Sequence, residues 1–323
     1  MSPNIICLGE LLVEIMRAEV GVPHSVPGIY KGPYPSGAPA IFIDSAARMA
    51  QGTDLTVGYI GAIGDDDFGH MTVAKLERDG VDVSQIVTRP GTHTGAAFVQ
   101  YNEDGSRKFI FAAGAAGMTS PDDLHPDYFQ DIKALHIMGS ALSISESSKD
   151  ACYKALQLAK EANPSCLISL DPNLRPEMLP IEEILQICQP ILDVVDIILP
   201  SGKEAAMLAG LDDEEEACRK LLEGHASIVV LKQGENGSIV FEKDPASGAV
   251  NELRVPSFSV TEVDPTGAGD SFGGAFIVGT LLDWPMEQRA KFANAVGALK
   301  VTSWGPMPET TKEEALAFAD ISL

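Results

Sequence analysis

The sequence lacks the features of a membrane-spanning or secreted protein. No apolar run approaches the roughly 18 consecutive residues that a membrane helix requires. Residues 1–4 lack the basic segment of a secretory signal. The five cysteines are scattered and form no C-x-x-C pair, which indicates a reducing compartment and predicts neither disulfides nor a structural zinc site. We therefore expect a cytoplasmic protein without a membrane partner.

Basic residues are also scarce. The chain has 23 Lys and Arg against 46 Asp and Glu, so its formal net charge is −23. Such a surface repels phosphate backbones and no basic run offers a local exception, so we expect no nucleic-acid partner. Hydrophobic residues make up 45% of the 323 residues, which is enough to build a sizeable buried core.

Short apolar runs alternate with helix-like stretches along most of the chain. Such alternation is typical of an α/β fold with a mostly parallel sheet and helices on both faces. Ligands of such sheets lie beyond the C-terminal ends of the strands, so loops that follow strands are candidate sites. The predicted strands are residues 5–8, 56–60, 134–138, 167–170, 196–199, 228–231 and 238–241, and the predicted helices include residues 40–50, 150–162, 181–192 and 203–209.

Two segments, residues 11–35 and 95–111, interrupt this alternation. The first is rich in Gly and Pro, and the second has the pattern of a β-hairpin around the turn at residues 103–106. We expect both to form a small β-structured lid on a single α/β domain that spans residues 1–323. The expected lid strands are residues 12–16, 26–30, 97–101 and 108–111.

The strongest local motif is at residues 263–276, where a turn-rich segment leads into a helix of small residues that ends near residue 282. Gly267 and Gly269 free the backbone at the helix start, so the N–H groups of residues 267–269 can bind an anion there. Asp270 would repel a phosphate, but it suits a general base that takes a proton from an attacking hydroxyl. The alternative is that Asp270 is an N-cap and the glycines form a tight turn.

The run D-P-T-G-A-G-D-S-F at residues 264–272 resembles the pattern near the C-terminus of the ribokinase-like (PfkB) carbohydrate kinases. The resemblance implies a ribokinase-like fold and an ATP-dependent sugar kinase. It also implies that Asp270 is the catalytic base and that the amides of Gly267, Ala268 and Gly269 form the anion hole. Further matches in the expected order are residues 9–10, 61–69, 171–175, Glu204 and residues 232–237.

The same resemblance implies ATP and Mg²⁺ as cofactors. The metal is associated with Glu204, and Ser201 stands where the family has Asn. Some of the nucleotide candidates have an ordinary structural alternative. Arg175 could form a structural ion pair, the G-x-x-G run at residues 234–237 could be a hairpin turn, and Asn294 could be a helix-surface residue. The residues implied to bind the nucleotide are Asn173, Arg175, Lys232, Gly234, Gly237, Thr266 and Asn294.

The sugar side departs from the common family pattern. Ile41 replaces an Asn that holds sugar hydroxyls, and Ala112 stands where kinases of 2-keto-3-deoxygluconate have an Arg. A buried carboxylate without a cation is costly, so we expect a neutral sugar. Residues 32–44 resemble the corresponding segment of bacterial kinases of ketohexoses, in particular tagatose. Within this segment, Asp44 is interpreted either as a further polar contact to the sugar or as a solvated or capping group. The residues implied to bind the sugar are Glu14, Gly37, Ile41, Phe98, Phe111 and Asp270.

Three functions are therefore compatible with the sequence. The first is an ATP-dependent kinase of a neutral ketohexose, tagatose or fructose in type. The second is a nucleoside kinase on the same fold, which needs aromatic stacking near the acceptor and is not excluded by Tyr34, Phe98 and Phe111. The third is a non-catalytic sugar- or nucleotide-binding regulator, which the intact Asp270 disfavours. Because lid-to-lid dimers occur in the family, the resemblance also implies a possible homodimer through the lid.

Overall fold

The computed structural model describes residues 2–103, 106–176 and 178–322. Asp104 and Gly105, at the centre of the predicted hairpin turn, lie outside the described residues. The described residues form these strands: β1 (Ile5–Glu10), β2 (Leu12–Arg17), β3 (Tyr30–Ser36), β4 (Val57–Gly64), β5 (Val81–Arg89), β6 (Gly95–Tyr101), β7 (Arg107–Ala112), β8 (Ala134–Met138), β9 (Leu167–Asp171), β10 (Ile197–Ile198), β11 (Ile228–Lys232), β12 (Ser238–Lys243) and β13 (Val250–Val255).

The central sheet has nine strands among the described residues, in the order β13-β12-β11-β10-β9-β8-β1-β4-β5. All strands from β11 to β5 in this order run parallel, and β12 and β13 extend the sheet in antiparallel fashion. Every residue of β1, β4, β8 and β11 is buried, because helices cover the sheet. The predicted α/β fold with a mostly parallel sheet is confirmed.

The remaining strands form a small sheet in the order β3-β2-β6-β7. Strands β6 and β7 pair antiparallel, as the hairpin pattern predicts. The strand expected at residues 26–30 is wrong, because the pairing strand is β3 at Tyr30–Ser36. It lies at the edge of the small sheet, where Pro33 and Pro35 are tolerated because one side of the strand needs no donors.

Helices flank the central sheet and complete the core. Helix α1 packs on β1 and against α8, which in turn packs against α9. Among the described residues, every helix is too short or too polar to traverse a lipid bilayer. The helices are α1 (Ala38–Ala50), α2 (Asp67–Arg78), α3 (Gly139–Ser143), α4 (Glu146–Ala162), α5 (Ile181–Leu192), α6 (Glu204–Ala209), α7 (Glu214–Leu221), α8 (Ala268–Leu281), α9 (Met286–Lys300) and α10 (Lys312–Phe318).

Asp44 has a structural partner rather than a ligand or solvent. It is fully buried on α1, and Lys75 on α2 donates to its carboxylate at 3.0 Å. Lys75 also donates to the carbonyl of Pro308 at 3.1 Å and bonds Asp79. Burial raises the pKa of Asp44 to about 8. The expectation of a sugar contact or a solvated cap is therefore wrong, and the residue ties α1, α2 and the segment before α10 together.

The parallel strands deliver polar side chains to one edge of the sheet. Glu10, Asp171 and Lys232 are the last residues of β1, β9 and β11, and all three are buried. Since the C-terminal ends of parallel strands meet at one edge, these charged groups collect there, where ligands of such sheets bind.

Candidate active site

Two adjoining cavities open at this edge of the sheet. The smaller has a volume of about 300 Å³ and the larger a volume of about 950 Å³. Ser201, Lys232, Pro265 and Gly269 line both cavities, so the start of α8 lies between them. Both volumes are typical of small-molecule sites, and their common wall is where two bound molecules would meet.

The loop before α8 is shaped by a glycine. Gly267 has a φ of 81° at the N-cap position of α8, and a Cβ there would lie 2.2 Å from the carbonyl oxygen of Pro306. The N–H of Ala268 donates to the carbonyl of Pro265 at 3.3 Å. Those of Gly269 and Asp270 have no such partner among the described residues. With the helix dipole behind them, the N–H groups of Gly269 and Asp270 are free to donate to an anion, whereas that of Ala268, one of the expected donors, is already bonded.

Asp270 projects from the first turn of α8 into the smaller cavity. Its side chain makes no capping bond and Gly267 holds the N-cap position, so the alternative of an N-cap aspartate is wrong. The amide of Asn173 donates to its Oδ1 at 3.3 Å. Burial raises its pKa to about 6, with Asp171 adding to the shift and Lys232 opposing it. Such a carboxylate accepts a proton more readily than an ordinary Asp.

A cluster of charged groups stands beside Asp270. Lys232 Nζ donates to Asp171 Oδ2 at 2.5 Å, and both side chains are buried. Burial alone would lower the pKa of Lys232, but Asp171 and Glu204 raise it. Burial and Asp171 raise the pKa of Glu204. Its two oxygens accept the N–H groups of Leu174 at 2.9 Å and Ser201 at 2.7 Å, so this carboxylate is held in one orientation.

The predicted nucleotide residues divide between the two cavities. Gly234, Gly237 and Asn294 line the larger one. Asn294 is buried and donates to the carbonyls of Val255 at 3.0 Å and Pro256 at 3.3 Å, so it is not a helix-surface residue. Lys232 lines both cavities, and the others, Asn173, Arg175 and Thr266, line the smaller one beside Asp270.

Most predicted sugar residues surround the smaller cavity. Gly37, Ile41 and Phe111 line it, and Glu14 does so from β2. The hydroxyl of Ser36 donates to Glu14 Oε1 at 2.8 Å, while Oε2 has no partner among the described residues. Burial raises the pKa of Glu14 to about 7. The second oxygen is therefore suited to accept a hydroxyl donor.

Phe98 does not reach this cavity, so its prediction as a sugar-binding residue is wrong. In the pairing of β6 with β7, Phe98 lies opposite Ile110 and Ala97 lies opposite Phe111. Side chains alternate between the faces of a strand, so Phe98 points away from the face that carries Phe111. Its ring instead packs edge-on against Tyr30, with 6.1 Å between the ring centroids.

Several residues that were not predicted as site residues also line the smaller cavity, among them Glu10, Arg107 and Phe109. Burial raises the pKa of Glu10 to about 7, and no residue in the described part of the chain bonds its Oε2. Arg107 donates to Thr266 Oγ1 at 3.4 Å. Alternation along β7 could have found Arg107 and Phe109, because they share a face with Phe111.

The smaller cavity contains positive charge, contrary to the expectation from Ala112. Because Ala112 stands where other kinases have an Arg, we expected no cation to meet a sugar carboxylate, but Arg107 and Arg175 both line the cavity. Ala112 pairs with Ala96 at the end of β7, on the face opposite Arg107. A preference for a neutral sugar must therefore rest on grounds other than the absence of positive charge.

The comparisons with known proteins agree with this geometry. Residues 2–312 match the pfkB family carbohydrate kinases, and the chain belongs to this family. It is accordingly a sugar kinase, which transfers a phosphoryl group to a hydroxyl. Fructokinase-1 of Oryza sativa subsp. japonica is 32% identical over 324 residues, covering 97% of this chain and 96% of that protein. Fructokinase-2 of Solanum lycopersicum is 33% identical over 328 residues, covering 98% and 95%.

A solved structure from E. coli, described provisionally as a ribokinase II in complex with ATP and Mg²⁺, has 39% sequence identity to the chain and a TM-score of 0.88. The alignment covers 99% of both chains. The ribokinase-like fold is thereby confirmed over the whole length of the comparison.

The two faces of the small sheet provide a matched pair of substitutions. We expect Phe111→Ala to raise the KM for the sugar about tenfold, because it removes an apolar wall of the smaller cavity. Phe98→Ala should leave this KM within about twofold, because Phe98 lies on the opposite face. Steady-state kinetics of both variants measure the difference. Equal effects would show that the exposed face also contributes to sugar binding.

Proposed function

We propose that the protein is an ATP-dependent ketohexose kinase, of fructose or tagatose type, in which Asp270 is the general base. The observation that carries the proposal is the buried carboxylate of Asp270, with a pKa of about 6, at an anion-binding helix start between two cavities. A phosphoryl donor in one cavity and a hydroxyl acceptor in the other would meet beside this group.

The larger cavity is the candidate ATP site. Its volume of about 950 Å³ suits a nucleotide, and Gly234 and Gly237 let the backbone approach a ligand closely. Asn294 uses its NH₂ group on two carbonyls, which leaves its Oδ1 available as an acceptor for the base. Lys232, at the boundary of the cavities, supports phosphate binding as a buried cation. The E. coli relative was solved with ATP and Mg²⁺.

The residues present also fit a Mg²⁺ ion. Among the described residues, no group of three or more His, Cys, Asp and Glu forms a complete metal cage. Mg²⁺ in phosphoryl-transfer sites uses one or two carboxylates, waters and the phosphates, so no such cage is required. Glu204 keeps free lone pairs beside its two backbone N–H partners, and Ser201 lies next to it on both cavities. Bound there, Mg²⁺ would neutralise charge on the phosphates.

In the proposed reaction, the acceptor hydroxyl attacks the γ-phosphorus while its proton passes to Asp270. The new bond forms between the hydroxyl oxygen and phosphorus, and the bond to the bridging oxygen breaks with its electron pair retained by ADP. Asn173 holds the carboxylate of Asp270 in position. The N–H groups of Gly269 and Asp270 stabilise the charge that develops on the transferred group. Arg107, brought by the small sheet, adds positive charge on the sugar side.

The two fructokinases that match nearly the whole chain support a neutral ketohexose as acceptor. The oxygens of Glu10 and Glu14 that have no partner among the described residues support it as well, because they can accept hydrogen bonds from sugar hydroxyls. Ile41 packs against Gly267 and offers no hydrogen bond, so the sugar hydroxyls must bind to polar residues of the cavity such as Glu10 and Glu14.

A panel of acceptors tests the proposed substrate class. We expect kcat/KM for fructose or tagatose to exceed that for ribose, adenosine and 2-keto-3-deoxygluconate by at least about tenfold, or roughly 1.4 kcal/mol of transition-state binding. Coupled measurement of ADP release gives each value. Adenosine as the best acceptor would establish a nucleoside kinase instead, and the sugar acid as the best would assign Arg107 to a carboxylate.

The variant Asp270→Asn tests the base. Because the change is nearly isosteric, we expect the protein to fold and kcat to fall by about 10² to 10⁴. The base is competent when ionised, so wild-type kcat/KM should decrease below a pH of about 6. The control is Asp212→Asn, at an exposed carboxylate outside both cavities. A loss smaller than about tenfold in Asp270→Asn would contradict the assignment.

We further propose that the chain is one domain whose small sheet acts as a lid over the sugar. Arg107, Phe109 and Phe111 of this sheet already line the smaller cavity. Closure there would exclude water and limit ATP hydrolysis. A cytoplasmic location is supported by five free, buried cysteines, which persist in a reducing compartment.

The outer face of the small sheet supports a lid-to-lid homodimer. Ile110 on this face is 49% exposed and lies opposite Phe98, whose ring packs against Tyr30. Exposed apolar surface on a sheet commonly marks an interface. We expect Ile110→Lys to shift the sedimentation coefficient from dimer to monomer, while Met207→Lys, at an equally exposed residue of α6, should not. A wild-type monomer at micromolar concentration would contradict the proposed dimer.

A further inference from the structure

Lys300 is a buried cation that the proposed chemistry does not use. It lies in the last turn of α9 and is 1% exposed. Its Nζ donates to the carbonyl oxygen of Asp264 at 2.9 Å and to that of Ser303 at 3.5 Å. The carboxylate of Asp264 lies 3.9 Å away. The ammonium is thus enclosed by oxygen atoms beneath the loop that leads to Gly267.

Asp264 connects this ammonium to three segments of the fold. Its Oδ1 accepts the hydroxyl of Tyr101 on the small sheet at 2.9 Å and the N–H of Thr266 at 3.0 Å. Its Oδ2 accepts the N–H of Gly305 at 3.1 Å. Asp264 is itself completely buried. The position of the loop at residues 264–267 therefore depends on a charged centre rather than on apolar packing.

An ammonium in this place is expensive to bury. Desolvation lowers the pKa of Lys300, and Asp264 opposes this shift. An apolar side chain of the same length would fill the space without that penalty, so packing alone does not account for the charge. Two carbonyl oxygens and a carboxylate are also the kind of oxygen shell that binds a potassium ion.

We propose that Lys300 is a positioning residue whose ammonium acts as a tethered monovalent cation. It holds the loop at residues 264–267 in place, so that the N–H groups at the start of α8 face the transferred phosphoryl group. The inference rests on the proposed kinase chemistry of this site. It predicts that the wild-type enzyme needs no free monovalent cation, because its own side chain fills the oxygen shell. It also predicts that removal of the side chain opens a position that a small cation can enter.

The kinetic experiment compares wild type, Lys300→Ala and the control Lys291→Ala, a half-buried lysine of the same helix. Turnover is measured at constant ionic strength in tetramethylammonium chloride, with ammonium or potassium chloride replacing part of it. We expect wild type and control to change less than about twofold. For Lys300→Ala we expect kcat to fall at least about tenfold and to recover severalfold with ammonium or potassium, while the sugar KM changes less than about threefold.

Three results would overturn the proposal. These are potassium activation of the wild type, full kcat of Lys300→Ala in tetramethylammonium, and a loss of kcat that no small cation restores. If Lys300→Ala does not fold, the wild-type titration alone decides: independence of potassium supports the tethered cation and activation refutes it.

A second readout does not depend on the reaction. The Tm of Lys300→Ala should rise with ammonium or potassium relative to tetramethylammonium, whereas the Tm of wild type and Lys291→Ala should not. If no sugar on the panel is phosphorylated, the proposed function fails while this measurement still tests the cation. A Tm of Lys300→Ala that is insensitive to the cation would refute the oxygen shell as a cation site.

Discussion

The 2.5 Å ion pair between Lys232 and Asp171 is the contact on which the site depends. It joins the ends of β9 and β11, which are separated by the short strand β10 in the sheet. Asp171, Glu204 and Asp270 are three carboxyl groups that line one cavity, and without a cation their burial and mutual repulsion would favour protonation. Lys232 opposes that effect, and the pKa of Asp270 stays near 6, where the carboxylate is ionised at neutral pH.

The same polar groups couple the small sheet to the start of α8. Tyr101 of β6 bonds the carboxylate of Asp264, and Arg107 of β7 bonds the hydroxyl of Thr266. Asp264 and Thr266 precede Gly267, whose left-handed conformation begins the helix. A movement of the small sheet therefore acts on the anion-binding position through hydrogen bonds as well as on the sugar cavity. Access of the acceptor and alignment of the phosphoryl group depend on one set of contacts.

Much of the fold could be predicted because its strands and helices have recognisable local sequence patterns. The apolar run of β8 and the pattern of α5 gave the observed bounds, since buried parallel strands and amphipathic helices have distinct periods. The strand expected at residues 26–30 failed because β propensity favoured Val26 and Ile29 over a segment with two prolines. Only the edge position of β3 makes those prolines acceptable, and an edge is a property of the whole sheet.

The sequence alone predicted the family motif, the candidate base Asp270, the glycine at 267 and most side chains around the two cavities, because these depend on residue type within a short run. The tertiary structure alone decided which face of the small sheet carries a residue, and so excluded Phe98 and added Arg107. It also decided that Asp44 and Lys300 are buried ionisable groups with specific partners. Such facts depend on strand register and on contacts between residues distant in the chain, and a local pattern contains neither.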